Sequence, residues 1–153
     1  PPQQAADLAW DSGLIGRNAD GKPSGWAACD PSTLAVPGDD RVFVVGDVID
    51  KVSPLFGQYP KTGQIAAGLG RIATTQIAAH AAGTAAPRQL PDSTCYVVNR
   101  PEPKELTRIE TAYRWRGDGV IQQTMRQQHL PQAGEEDLDW ARRQFAELFG
   151  TTG

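Results

Sequence analysis

The chain is poor in several things, and each scarcity removes a class of function. Its 153 residues include two cysteines, Cys29 and Cys95, and two histidines, His80 and His129. Neither pair has metal-ligand spacing, and two cysteines so far apart make no disulfide framework. A Cys29–Cys95 bridge and two buried free thiols both stay open on these grounds. No apolar run approaches the length of a membrane span. Lysine and arginine total 15 against 18 acidic residues, a net charge of −3. No basic stripe breaks that balance, which disfavours a nucleic-acid partner. Also absent is a G-x-G-x-x-G loop between a strand and a helix; Gly68-Leu69-Gly70 lies inside a helical pattern. Without that loop a dinucleotide lacks the usual grip on its pyrophosphate. Neither Met nor a secretory leader stands at Pro1-Pro2-Gln3-Gln4, so the chain reads as a processed or excised piece.

What is present centres on Arg41–Gln64. Val42-Phe43-Val44-Val45, closed by Gly46-Asp47, predicts a strand buried on both faces, of the kind found in parallel sheets. Asp47 would then stand at the strand's carboxyl end, where open α/β sheets bind ligands. Gly46-Asp47 fits a plain turn equally well. After a loop, Pro60-Lys61-Thr62-Gly63 opens the longest helical pattern, with Ile65, Leu69, Ile72, Ala73 and Ile77 on one stripe. Thr62 is the expected N-cap and Gly83 the expected stop. Upstream, residues 3–12 predict a short helix, 15–25 turns, and Trp26–Cys29 a short strand.

Beyond a linker at 84–93 the period changes to two. Thr107, Ile109, Thr111, Tyr113 and Trp115 share one strand face, and Gly117-Asp118-Gly119 makes a hairpin turn. Val120–Gln128 returns with Ile121 and Met125 expected inward, and Cys95–Asn99 adds a third strand. Glu135–Gly150 predicts a last helix with an apolar stripe of Leu138, Ala141, Phe145, Leu148 and Phe149. Trp140 falls about 100° or more off that stripe, so it is either partly exposed or packed on a second surface. The fold class is α+β: a strand-and-helix remnant of an α/β domain over 1–84, then a small antiparallel sheet with a C-terminal helix over 89–153.

Together these landmarks resemble one family. Strand-Gly46-Asp47 followed by Pro60-Lys61-Thr62-Gly63 and an Ala-rich helix looks like the late FAD-binding segment of flavoproteins with two dinucleotide domains. Gly25-Trp26 with Asp30, Thr94-Cys95-Tyr96, and Trp140 ahead of Phe149-Gly150 narrow the resemblance. The chain is similar to the C-terminal part of the flavoprotein chain of flavocytochrome c sulfide dehydrogenase, a relative of sulfide:quinone oxidoreductases. The resemblance implies FAD as cofactor, held here by Gly46, Asp47, Lys61, Thr62 and Gly63, with Trp140 near the flavin. It implies sulfide as substrate, a c-type cytochrome subunit as partner and a periplasmic location. It also implies that phosphate-binding parts lie outside this chain, so the isolated chain is expected to be inactive and to hold FAD weakly or not at all.

One position departs from the pattern. The family places a redox cysteine directly after the Trp matching Trp26, whereas this chain has Ala27 there and Cys29 two residues on. Cys29 is the candidate catalytic thiol from a shifted site; an inert core thiol fits equally. The substitution also admits a different substrate on the same scaffold, as in an NADH:quinone-type pyridine nucleotide-disulfide oxidoreductase. From another class comes a non-catalytic docking domain formed by Cys95–Gly150.

Overall fold

A computed structural model describes residues 3–150. Over the described residues the chain is mixed α+β, with three antiparallel sheets and three α-helices. The chain divides into two compact units, one of 1–91 with 113–123 and one of 92–112 with 124–153.

In the first unit a short helix, α1 (Asp7–Asp11), precedes a hairpin of β1 (Ile15–Arg17) and β2 (Pro23–Ala27). Its turn is built by Asn18, whose side-chain oxygen accepts from the Asp20 and Lys22 amides at 3.1 and 3.0 Å. That is the Asx chemistry that makes Asn a turn residue. The strand expected at Trp26–Cys29 therefore begins earlier and ends at Ala27, and part of the expected turn region pairs as a strand.

A second hairpin joins β3 (Ala35–Val36) to β4 (Asp39–Phe43). This corrects the expected buried strand of a parallel sheet. Pro37-Gly38, with Gly38 at φ +87°, folds the chain straight back, so β4 pairs antiparallel with its own neighbour. Val44 is buried, whereas Val42 and Val45 remain 39% and 36% exposed. A single 3₁₀ turn, Gly46–Val48, follows.

The long helix forms as its caps and period predict. α2 spans Gly63–Ala81, and Thr62 Oγ1 accepts from the Ile65 amide at 3.3 Å. Ile65, Leu69, Ile72 and Ala73 are buried, and Ile77 is exposed because the stripe outruns the surface it covers. Gly83, at φ +65°, takes the left-handed conformation that ends helices. The helix stripe joins Ala27, Leu34, Val44, Ile49, Val52, Tyr59, Tyr113 and Ile121 in one core. Ser53, buried in the loop before α2, donates to the Ile121 carbonyl at 2.6 Å across 68 residues of sequence. It thereby ties that loop to the hairpin tip.

The three-stranded sheet orders as β5 (Asp92–Arg100), β6 (Glu105–Trp115) and β7 (Ile121–Leu130). The expected alternation on β6 places Thr111 and Tyr113 inside, yet Leu106, on the opposite face, is fully buried. Tyr96 and Val98 pair across from Arg108 and Leu106 on that same face. There Trp140 of α3 (Glu136–Phe149) packs against Tyr96, with ring centroids 6.1 Å apart. Lys104 fixes the start of α3 through Asp137 at 2.5 Å, a partner that holds the Asp137 carboxyl below its usual range. So this face is covered at Leu106 and Tyr96 while Val98 stays exposed, and the side of α3 that packs is the Trp140 side. The expected inward stripe points out: Leu138, Phe145, Leu148 and Phe149 are all exposed, as is Met125.

Replacing Ser53 by Ala strips the buried Ile121 carbonyl of its donor and should cost about 1–3 kcal/mol. The measurement is the urea midpoint of Ser53→Ala; an unchanged midpoint would show that the tether contributes nothing.

Candidate functional site

The residues singled out around Arg41–Gln64 converge. Gly46 adopts φ +74°, and a Cβ there would lie 3.2 Å from the Ala66 Cβ. A side chain there would be tight against Ala66 and strained by the left-handed φ, so glycine suits a turn pressed this closely on α2. Lys61 reaches back over this turn and donates to the Asp47 carbonyl at 2.5 Å. Its ammonium also lies 3.5 Å from the centre of the Trp26 ring, a cation–π contact. Desolvation lowers the Lys61 pKa, partly offset by the charges of Asp47 and Asp50. Thr62 and Gly63, both exposed, stand at the amino end of α2, where the helix dipole favours negative charge. The Asp47 side chain is exposed beside them.

Trp26 and Lys61 border two clefts. The larger, of about 690 Å³, is lined by Ser24, Asp50, Lys51, Phe56, Gln58 and Tyr59 among others. The smaller, of about 470 Å³, is lined by Gln3, Gln4 and Asp47 besides Trp26 and Lys61. Phe56, Tyr59 and Tyr113 form an aromatic cluster, with Tyr59 edge-on to Tyr113 at 4.8 Å. Phe56 and Tyr59 belong to no motif; two aromatics in an otherwise turn-rich loop are the signal the sequence offers for them. Flat ring, ammonium and helix amino end together suit a planar ligand with an electron-rich polar edge.

Cys29 has a different setting. It lies beyond β2 and packs against the core beside fully buried Ala27. Burial, with the negative charges of Asp30 and Asp50 adding to it, pushes its thiol from 9.0 up to about 12. A thiol so placed is protonated near neutral pH and a poor nucleophile. Cys95 is exposed, and neither cysteine is in a disulfide. Trp140 belongs to the second unit, where its indole N–H is buried without a hydrogen-bond partner. Among the described residues no three His, Cys, Asp or Glu side chains gather as metal ligands would, and no helix is long and apolar enough to cross a membrane.

Compared with known protein families and with curated proteins, the chain matches none.

Thiol chemistry tests the Cys29 setting. With iodoacetamide at pH 8, Cys95 should alkylate readily and Cys29 only on unfolding; equal rates would contradict the burial. Between pH 9.0 and about 12 the unfolded chain has released a proton that folded Cys29 keeps. Stability from this group is therefore full below that window and falls as pH rises through it. Tyr59 and Tyr113, both pushed up by burial, add declines of the same sign at higher pH. Cys29→Ala should flatten the first part of the decline in urea titrations at stepped pH.

Proposed function

We propose that the chain is the C-terminal part of an FAD-dependent sulfide dehydrogenase flavoprotein that delivers electrons to a c-type cytochrome subunit. In this reading it supplies the cradle for the isoalloxazine and ribityl half of FAD. The observation that supports it most is the meeting of Gly46-Asp47 with Lys61-Thr62-Gly63, two segments that the family resemblance names independently. A close-packed glycine turn, a partly desolvated ammonium and a helix amino end fit the polar edge of a ring that gains negative charge on reduction. When bound, FAD would supply the two-electron chemistry, and the chain's residues would position and tune it. Lys61 and the α2 amino end would stabilise charge at the pyrimidine edge, Asp47 would accept from ribityl hydroxyls, and Gly46 would let the backbone approach. Neither Cys29 nor Trp140 is needed for this cradle. The family reading would place the protein in the periplasm.

A second reading, with a different substrate on the same scaffold, is favoured by one specific observation. The position where the family has its redox cysteine is Ala27, which is fully buried, and the nearby Cys29 thiol is held protonated. An NADH:quinone-type oxidoreductase needs no sulfur-accepting thiol there.

Two measurements separate these statements. Mixed with excess FAD and desalted, the 153-residue chain should come off colourless, because its sequence has no G-x-G-x-x-G loop for the pyrophosphate; a stoichiometric yellow protein would overturn its reading as a fragment. In the full-length protein, sulfide should bleach the flavin absorbance under anaerobic conditions. Bleaching by NADH and none by sulfide would replace the first reading with the second.

A further inference from the structure

Asp50, Lys51 and Lys61 all line the larger cleft, and among the described residues none of them is in an ion pair. Asp50 is held in place by backbone. Its amide donates to the Ala27 carbonyl at 2.8 Å, which fixes the residue against the end of β2. Its Oδ1 accepts from the Lys51 amide at 2.7 Å. Its Oδ2 sits over Gly16 of β1, where a Cβ would lie 2.7 Å away. The glycine makes room for the carboxylate, and the second oxygen keeps its lone pairs for a donor from outside.

Lys61 is fixed as well. The Asp47 carbonyl takes one of its N–H groups and the Trp26 ring faces another, which leaves the third. The ammonium is partly desolvated and has no carboxylate partner, so an anionic group brought to it compensates a charge already half out of water. Lys51 adds a second, exposed ammonium to the same cleft. Phe56 supplies an apolar wall, its ring held by Tyr59 and Tyr113 with centroids at 5.8 and 5.1 Å.

We propose that this cleft binds a free α-amino acid as its zwitterion. The ligand's ammonium would donate to Asp50, its carboxylate would accept from Lys61 and Lys51, and its side chain would rest on Phe56. A ligand with positive charge alone would meet Asp50 but be repelled by both lysines. One with negative charge alone would meet the lysines and be repelled by Asp50. A zwitterion gains from all three groups. A residue inside a peptide carries neither charge, so the free amino acid is selected over a peptide interior. The volume of about 690 Å³ lies within the range of about 300–1,000 Å³ usual for small-molecule clefts. The proposal does not rest on the flavin reading: it shares Lys61 with that seat but otherwise uses Asp50, Lys51 and Phe56, which the seat does not.

The test uses the whole chain near neutral pH and three probes with one ring in common. They are phenylalanine, phenethylamine, which lacks the carboxylate, and hydrocinnamate, which lacks the ammonium. In amide chemical-shift titrations phenylalanine should saturate with a Kd on the order of 1 mM, perturbing Gly16, Asp50, Lys51, Phe56 and Gln58. Each one-charge analogue should bind at least ~10-fold more weakly. Asp50→Asn should weaken phenylalanine by a similar factor and tighten hydrocinnamate, whose repulsion it removes. The three wild-type titrations decide the matter even where Asp50→Asn alters the fold. Hydrocinnamate binding as well as phenylalanine would make the cleft an anion site, and phenethylamine doing so a cation site. Either result, saturation by none of the probes, or perturbations confined to Gly46, Asp47 and Thr62 would overturn the proposal.

Discussion

The close approach of the Gly46 turn to the first turns of α2 is the contact on which the rest depends. A Cβ at Gly46 would stand 3.2 Å from the Ala66 Cβ, and the left-handed φ excludes most other residues. With the turn seated there, Val44 and Ile49 on either side of it enter the core that Ile65 and Leu69 offer from the helix. The same seating brings the Asp47 carbonyl within reach of Lys61 and carries the Lys61 ammonium onto Trp26. One backbone constraint thus sets both the packing of the first unit and the geometry of its candidate site.

The two units use apolar surface differently. In the first, the helix stripe, the loop aromatics and the hairpin tip all point at one core, and Ser53 closes it with a buried hydrogen bond to Ile121. In the second, burial is thin. Leu106 is fully buried, Trp140 and Tyr96 make one aromatic contact, and the Lys104–Asp137 pair fixes the start of the helix. The most apolar side of that helix is left exposed.

Where cap, period and stop agree, the fold is legible from the residues. α2 is the clear instance: Thr62, the stripe from Ile65 to Ala73, and Gly83 each do what their chemistry dictates. The Gly117–Gly119 hairpin is another. Of the apolar run Val42–Val45 only Val42 and Phe43 fall in β4, which starts earlier, at Asp39, and the strand's neighbour is not legible either. Such a run does not say which segment pairs with it, and the Pro37-Gly38 turn supplies the nearest one. The orientation of α3 is the reverse of what its stripe predicts. A hydrophobic stripe ordinarily faces inward, but here the side that packs is the one bearing Trp140, which meets Tyr96. Within the candidate site, the motif residues Gly46, Asp47, Lys61, Thr62 and Gly63 are identifiable as neighbours. The Lys61–Trp26 contact and the aromatic floor of Phe56 and Tyr59 are not, because both arise from tertiary packing between segments without a common local pattern.

The proposed flavin seat, formed by the Gly46 turn and the α2 amino end, can be probed by amide chemical-shift mapping of the chain with millimolar FMN, which carries the ring and ribityl chain without the second nucleotide. The predicted result is saturable, weak perturbations confined to Gly46, Asp47, Lys61, Thr62, Gly63 and the Trp26 indole. Perturbations elsewhere, or none at these amides, would contradict it.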